Sequence, residues 1–156
     1  MNMQDEKFKL EKIQVNGKEE YRLEGVIDED TELGPLTSSS GPVYLNLSGI
    51  KSINSLGIRG WVNFWKKHTE KEVFYVECPP IIVRQMSMIP SFTGKAHVLS
   101  VYVPYVCDNC EAEKLVLVSL AGDTVPEIQT SFPCGKCEGG EMELDANPKQ
   151  YFSFQK

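Results

Sequence analysis

Four of the five cysteines form two Cys-x-x-Cys pairs, Cys107/Cys110 and Cys134/Cys137, separated by 23 residues. Two residues between thiolates allow both sulfurs of a pair to bind one ion, and two pairs complete a tetrahedral set of four sulfur ligands. In a chain of the cytosol this pattern indicates metal before disulfide. Four thiolates around Zn²⁺ leave no position for water, so the spacing predicts a structural zinc site and not a catalytic one.

Other uses of these cysteines stay open at the level of sequence. A redox pair is the main rival, although thiol oxidoreductases carry one Cys-x-x-Cys at the start of a helix that follows a strand. Iron in a rubredoxin-like site is a second, and a redox-responsive switch that releases zinc on oxidation is a third. The fifth cysteine, Cys78, precedes two prolines and is predicted to be a buried thiol at a strand end.

A second candidate for chemistry is Ser55, at the predicted start of a helix. The free N–H groups and the positive dipole end of a helix N-terminus tolerate a phosphate. In the plainer interpretation, Asn54 or Ser55 only caps the helix. The two histidines, His68 and His97, have no sequence neighbours that suggest a catalytic pair, and no phosphate-binding glycine loop is present. The sequence therefore predicts no enzyme.

Composition limits the compartment and the partners. No apolar run approaches the ~20 residues that cross a bilayer, and the polar N-terminus has no apolar signal core, so the cytoplasm is expected. The net charge is −6, and residues 104–156 hold 4 basic against 9 acidic side chains. This balance argues against nucleic acid, which is normally bound by a basic face. A patch around Arg59, Lys66 and Lys67 is the only support for a nucleic-acid-associated factor, so a protein partner is expected.

The periodicity of apolar residues predicts the elements that position these groups. Residues 7–15 and 20–27 alternate around Asn16-Gly17 and predict a β-hairpin. The stretch 28–42 is predicted to be loop, with room for a helical turn at 30–33. The later predictions are a buried strand at 43–47, a polar loop, a helix from Asn54 or Ser55, a strand at 72–76, a helix at 81–89, and strands at 96–103 and 114–120.

Helices that link parallel strands cover the faces of a sheet. The order of elements therefore predicts an α/β domain with a mixed sheet over residues 1–103. Residues 104–156 are predicted to be a small β module, in which a turn at 121–123 returns the second cysteine pair to the first. Tyr151, Phe152 and Phe154 are expected to dock the end of the chain onto one of these parts.

The segment Leu45–Gly57, taken with this order of elements, resembles the STAS domain over roughly residues 5–103. STAS domains form bacterial anti-sigma factor antagonists and the cytoplasmic tails of sulfate transporters, and an Asp-Ser-x-Gly motif opens their second helix. In antagonists a partner kinase, which is also the anti-sigma factor, phosphorylates that serine and breaks the complex. The resemblance implies that Ser55 is the phosphoacceptor candidate and that Asn54, Ser55 and Gly57 form a partner-contact loop.

The family usually has acids at the positions of Asn46 and Asn54, which are amides in this chain. The resemblance therefore favours a non-enzymatic, regulatory protein–protein interaction module that works without phosphate, with a phospho-switch at Ser55 as the variant. Residues 104–156 resemble a zinc ribbon, with a longer spacer and with Glu111 and Glu138 where a glycine often follows each cysteine pair. Many ribbons bind nucleic acid, but the acidity favours a protein contact or a purely stabilising role.

Overall fold

The computed structural model describes residues 7–38, 41–120 and 126–155. Within these ranges the chain forms nine strands and four helices, together with a 3-10 turn at Gly34–Thr37. The elements in chain order are β1 (Lys9–Val15), β2 (Lys18–Ile27), β3 (Val43–Ile53), α1 (Ser55–Lys66), β4 (Val73–Val76), α2 (Pro80–Met88), α3 (Pro90–Thr93), β5 (His97–Val98), β6 (Ser100–Cys107), β7 (Glu113–Ser119), β8 (Ser131–Pro133), β9 (Glu141–Leu144) and α4 (Pro148–Tyr151).

The first sheet has the strand order β1-β2-β3-β4-β5. Strand β1 pairs antiparallel with β2 across the turn at Asn16-Gly17, and both of these residues have the positive φ that such a turn requires. Strands β2 to β5 are parallel. The 3-10 turn lies between β2 and β3, α1 links β3 to β4, and α2 and α3 link β4 to β5. The predicted hairpin and the α/β class with a mixed sheet are thus confirmed.

Strand β3 is longer than its sequence predicts. Residues 48–53 were expected to form a polar loop, but they continue the strand, since β2 supplies a parallel partner from Glu20↔Tyr44 to Ile27↔Ile53. Gly49 permits this pairing, because a Cβ there would lie 2.9 Å from the Leu23 carbonyl oxygen. The prediction of a helical turn at 30–33 is also wrong. A 3-10 turn forms instead at Gly34–Thr37, directly after those residues.

The core lies between the first sheet and the helices α1 to α3. Trp61 is fully buried, and its Nε1 donates to the Tyr75 hydroxyl at 2.9 Å. That hydroxyl in turn donates to the Phe92 carbonyl at 2.9 Å, so α1, β4 and α3 are joined by one chain of hydrogen bonds. Burial raises the pKa of Tyr75, so the hydroxyl keeps its proton and its role as a donor.

The second sheet is antiparallel, with the strand order β7-β6-β9-β8. Strands β5 and β6 are separated by Leu99 alone, whose N–H donates to the Tyr75 carbonyl at 2.9 Å. The backbone N–H of Cys78 donates to the Ser100 carbonyl at 3.1 Å, and the Cys78 carbonyl accepts from the N–H of Tyr102 at 2.8 Å. The stretch 97–107 thus passes from one sheet into the other. The predicted boundary between residues 103 and 104 falls inside β6, and the division into two domains stays a prediction.

The aromatic end of the chain packs back onto the molecule, as expected from the sequence. Phe152 is buried, and the Tyr151 hydroxyl donates to the Tyr102 carbonyl of β6. The Ser87 hydroxyl of α2 donates to the Tyr151 carbonyl at 3.3 Å. No helix in the described part of the chain is long and apolar enough to cross a membrane.

Candidate metal centre and the start of the first helix

Strand pairing brings the two cysteine pairs together. Cys107 ends β6, and Cys110 lies in the turn that leads to β7. Cys134 and Cys137 lie in the connection between β8 and β9. Because β9 pairs antiparallel with β6, with Cys107 opposite Met142, the two connections meet at the same end of the second sheet.

The four Sγ atoms all lie within 4.8 Å of one another. The Sγ atoms of Cys107 and Cys137 are 3.7 Å apart, and those of Cys110 and Cys134 are 3.8 Å apart. A tetrahedron built with zinc–sulfur bonds of about 2.3 Å has edges of about 3.8 Å, so these separations match it. The four cysteines are free of disulfides and are arranged in a way that is compatible with a metal site.

Backbone N–H groups surround the sulfurs. The N–H groups of Asn109 and Cys110 both donate to Cys107 Sγ at 3.4 Å, and the N–H of Lys136 donates to Cys134 Sγ at the same distance. The donation from Cys110 lowers the pKa of Cys107 to about 7. Backbone N–H groups that donate to a thiolate hold it in place and stabilise its charge.

Cys110 behaves differently within the same cluster. The N–H of Ala112 lowers its pKa, but desolvation and hydrogen bonds with the neighbouring thiols outweigh this effect and raise the pKa to about 12. A bound cation would favour the ionised form of all four thiols.

Gly140 is a further part of this centre, and the sequence interpretation missed it. A Cβ at this position would lie 2.6 Å from the Sγ atoms of both Cys107 and Cys137. That distance is shorter than any real side chain tolerates, so only glycine fits beside the sulfurs. The available signal was the Gly139-Gly140 pair two residues after the last cysteine.

At the start of α1, Asn54 is the N-cap residue. Its Oδ1 accepts from the Gly57 N–H at 2.7 Å, so of the two capping candidates the structure selects Asn54. Ser55 is the first helical residue and is exposed. Gly57 is buried, because its Cα faces the end of β2 and a Cβ would lie 2.3 Å from the Ile27 carbonyl oxygen. The accessible part of the predicted contact loop is therefore Asn54 and Ser55, joined by Leu56.

Asn46 lies away from Ser55. It lies near the beginning of β3 and Asn54 directly follows the end of this strand, so at ~3.3 Å per residue the eight-residue separation between them spans roughly 26 Å. Asn46 is buried, and its Nδ2 donates to Glu77 Oε2 at 2.9 Å while its Oδ1 accepts from the N–H and the hydroxyl of Ser48. Its amide therefore ties β3 to the end of β4.

Acidic side chains do reach the start of α1, but they come from the segment after β2. Glu29 Oε2 lies 3.4 Å from Asn54 Nδ2. The carboxylates of Asp28, Glu29 and Asp30 lie within 4.8 Å of one another. The sequence interpretation treated this segment only as loop. Because β2 and β3 are parallel, the residues that follow them meet at one edge of the sheet, and this was the signal available in the sequence.

The remaining reactive side chains are distributed over the first sheet. Cys78 is fully buried, as expected, and burial raises its pKa. Nδ1 of His68 lies 3.7 Å from Glu70 Oε1, just beyond α1. The ring of His97 stacks on Phe74 with centroids 5.1 Å apart. These contacts join neither histidine to a nucleophile.

Comparisons of this chain with protein-family models, with curated proteins and with solved structures gave no match. The functional assignment therefore rests on the residues themselves, namely the cysteine cluster and the exposed start of α1.

Proposed function

We propose that this chain is a non-enzymatic regulatory module of the bacterial cytoplasm that binds a protein partner. In this proposal residues 1–103 are a STAS-like domain of the anti-sigma factor antagonist type, and residues 104–156 are a zinc-ribbon-like tail. The observation that carries it is the exposure of Ser55 and Leu56 on the first turn of α1, at the carboxyl edge of the parallel strands. An exposed apolar side chain beside exposed charged groups can form the buried centre of a contact surface, with the charged groups at its rim.

Charge defines the kind of partner. Leu56 is 49% exposed, and exposed Glu29 and Asp30 belong to the segment beside it. A complementary surface would offer an apolar pocket for Leu56 and basic side chains for the two carboxylates. A serine kinase that is also an anti-sigma factor is the class of partner that the STAS resemblance implies.

In this proposal the contact does not depend on phosphate. Phosphorylation of Ser55 would add about −1.5 to −2 charges at a position where the helix dipole favours them. The carboxylate of Glu29 lies beside the same helix end and opposes them. The phospho-switch is the variant proposal, in which added charge on Ser55 releases the partner.

The metal in the tail is proposed to be a structural Zn²⁺. Cys107, Cys110, Cys134 and Cys137 would hold it and supply all four ligands, which leaves no open position for catalysis. Its contribution is to the folding of the tail, since a small β module buries too little apolar surface to be stable without such a crosslink. Elemental analysis of the purified chain is expected to give one zinc per molecule. One iron per molecule would instead indicate a rubredoxin-like iron site and contradict the zinc proposal.

The partner proposal is tested by capture from the native cytoplasm with wild-type protein, Leu56→Ser and Leu117→Ser. Leu117 is a matched control because it is 47% exposed on β7, in the second sheet. We expect the Leu56→Ser variant to lose the partner and the Leu117→Ser variant to retain it. Binding of the partner to the wild-type protein should weaken as the salt concentration is raised. Equal capture by both variants would show that the start of α1 is not the contact surface.

The role of Ser55 is decided by the intact mass of the protein isolated from its own host under several growth conditions. An unmodified mass throughout, together with normal partner capture by Ser55→Ala, supports the phosphate-independent contact. A phosphorylated species that fails to bind the partner establishes the phospho-switch instead.

A further inference from the structure

A pocket of about 200 Å³ lies at the far end of α1 from Ser55. Its walls come from the last two turns of α1, from the segment that leads to β4, and from α3 and the residues before β5. One water molecule needs ~10–15 Å³ of such space, so the pocket is large enough for a small organic molecule. Trp65 and Phe92 give it an apolar wall.

Two polar atoms of the pocket-lining residues are buried without a partner. They are Trp65 Nε1 and the Thr93 hydroxyl, and within the described part of the chain neither makes a hydrogen bond. Buried polar groups are nearly always satisfied, so two orphaned atoms around one cavity require an explanation. An indole N–H is a donor, and a hydroxyl can donate, so both are suited to a ligand that brings acceptor oxygens.

The charge of the lining points to the same kind of ligand. Two exposed lysines, Lys66 and Lys95, line the pocket, together with His68. Among the lining residues that the structure describes, none is Asp or Glu, although Glu70 lies close to His68. This is a local excess of positive charge in a chain whose net charge is −6.

We propose that this pocket binds a small organic anion. Its apolar ring or chain packs against Trp65 and Phe92. Its carboxylate or a similar oxyanion accepts from the Trp65 N–H, the Thr93 hydroxyl, Lys66 and Lys95. This site is separate from the partner surface at the start of α1 and does not depend on it.

The first test uses 1-naphthoate as the probe. Two controls separate its features: 1-naphthylmethanol has the same apolar ring without the negative charge, and inorganic phosphate has negative charge without an apolar ring. We expect naphthoate to bind saturably and to shift the Trp65 indole N–H signal in an NMR titration of the full chain. Naphthylmethanol should bind at least several-fold more weakly, and phosphate should leave that signal unchanged. Equal binding of the neutral and the anionic probe would overturn the proposal.

The second test separates a ligand site from a merely structural role. Thr93→Val removes the unpaired hydroxyl at nearly constant volume, so we expect the Tm to stay the same or rise while naphthoate affinity falls about two- to tenfold. Lys95→Gln should weaken binding about two- to fivefold, as for an exposed charge pair. Lys51→Gln, an exposed lysine on β3, is the control and should bind as the wild type does. A Thr93→Val variant with a lower Tm and unchanged naphthoate affinity would refute the site.

Discussion

At the scale of single residues, the cysteine cluster depends on a glycine as well as on its ligands. Gly140→Ala would place a Cβ 2.6 Å from two sulfurs, and one of them would have to move. We expect this variant to retain less of the proposed Zn²⁺ after dialysis against a chelator and to unfold at a lower temperature. Gly135→Ala is the matched control, since nothing lies within 4 Å of a Cβ at that position. If both variants keep their metal equally, Gly140 does not shape the centre.

Cys78 differs from the other cysteines in its burial. Its thiol is fully buried and its pKa is raised, so the reactive thiolate is scarce and shielded. We expect N-ethylmaleimide to leave Cys78 unmodified in the folded protein, while chelator treatment exposes the four cluster cysteines to labelling. Mass spectrometry of the labelled peptides measures this. Modification of Cys78 before unfolding would show that the strand end opens.

The Asn54 side chain caps α1 by accepting the 2.7 Å bond from the Gly57 N–H. Asn54→Ala is expected to lower the free energy of unfolding by about 1 kcal/mol, the usual cost of losing an N-cap. Asn54→Ser should recover most of that loss, because its hydroxyl can accept the same N–H. Urea unfolding followed by circular dichroism compares them. An Ala variant as stable as the wild type would mean that another group caps the helix.

At the scale of elements, the contact between α1 and β2 fixes where the helix starts. Gly57→Ala would put a Cβ 2.3 Å from the Ile27 carbonyl oxygen, so the helix would have to shift away from the strand. Gly60 lies in the same helix with nothing within 4 Å of its Cβ position. We expect Gly57→Ala to destabilise the protein strongly, and Gly60→Ala to stabilise it by about 0.5–1 kcal/mol through helix propensity.

Denaturant unfolding of the two glycine variants measures the difference directly, since the substitution is the same and only the surroundings differ. Similar stabilities for Gly57→Ala and Gly60→Ala would show that α1 can slide along β2. In that case the position of Ser55 would be less well defined than the structure indicates.

At the scale of the whole molecule, β6 connects the cysteine cluster to the first sheet. Its beginning pairs with Cys78 beyond β4, and its end carries Cys107. If the cluster holds zinc, chelation should lower the Tm, because the ion binds only the folded arrangement. Hydrogen exchange should rise first in β8 and β9 and least in β2 and β3. A Cys137→Ser variant should already show this exchange pattern and respond no further to chelator. An equal increase in the hydrogen-exchange rate in all strands after metal removal would mean that the two sheets unfold as one unit.

The sequence by itself determined the classes of structure and the ligand set. Alternation with period two defined the first hairpin, and the spacing of the cysteines defined the candidate metal ligands, because these signals are local. The position of α1 was also predictable from the Asn-Ser pair before its apolar stripe. The burial of Cys78 followed from the same kind of local reasoning.

Only the tertiary structure decided which distant groups meet. Residues 48–53 look polar enough for a loop, but a parallel neighbour makes them strand, and this moves Asn46 away from Ser55 and brings Glu29 towards it. The close approach of Gly140 to the sulfurs and the unpaired atoms of Trp65 and Thr93 likewise depend on the tertiary structure. The physical reason is the same in each case. Close approach and burial depend on strand register and packing between residues far apart in the chain, and no local pattern encodes them.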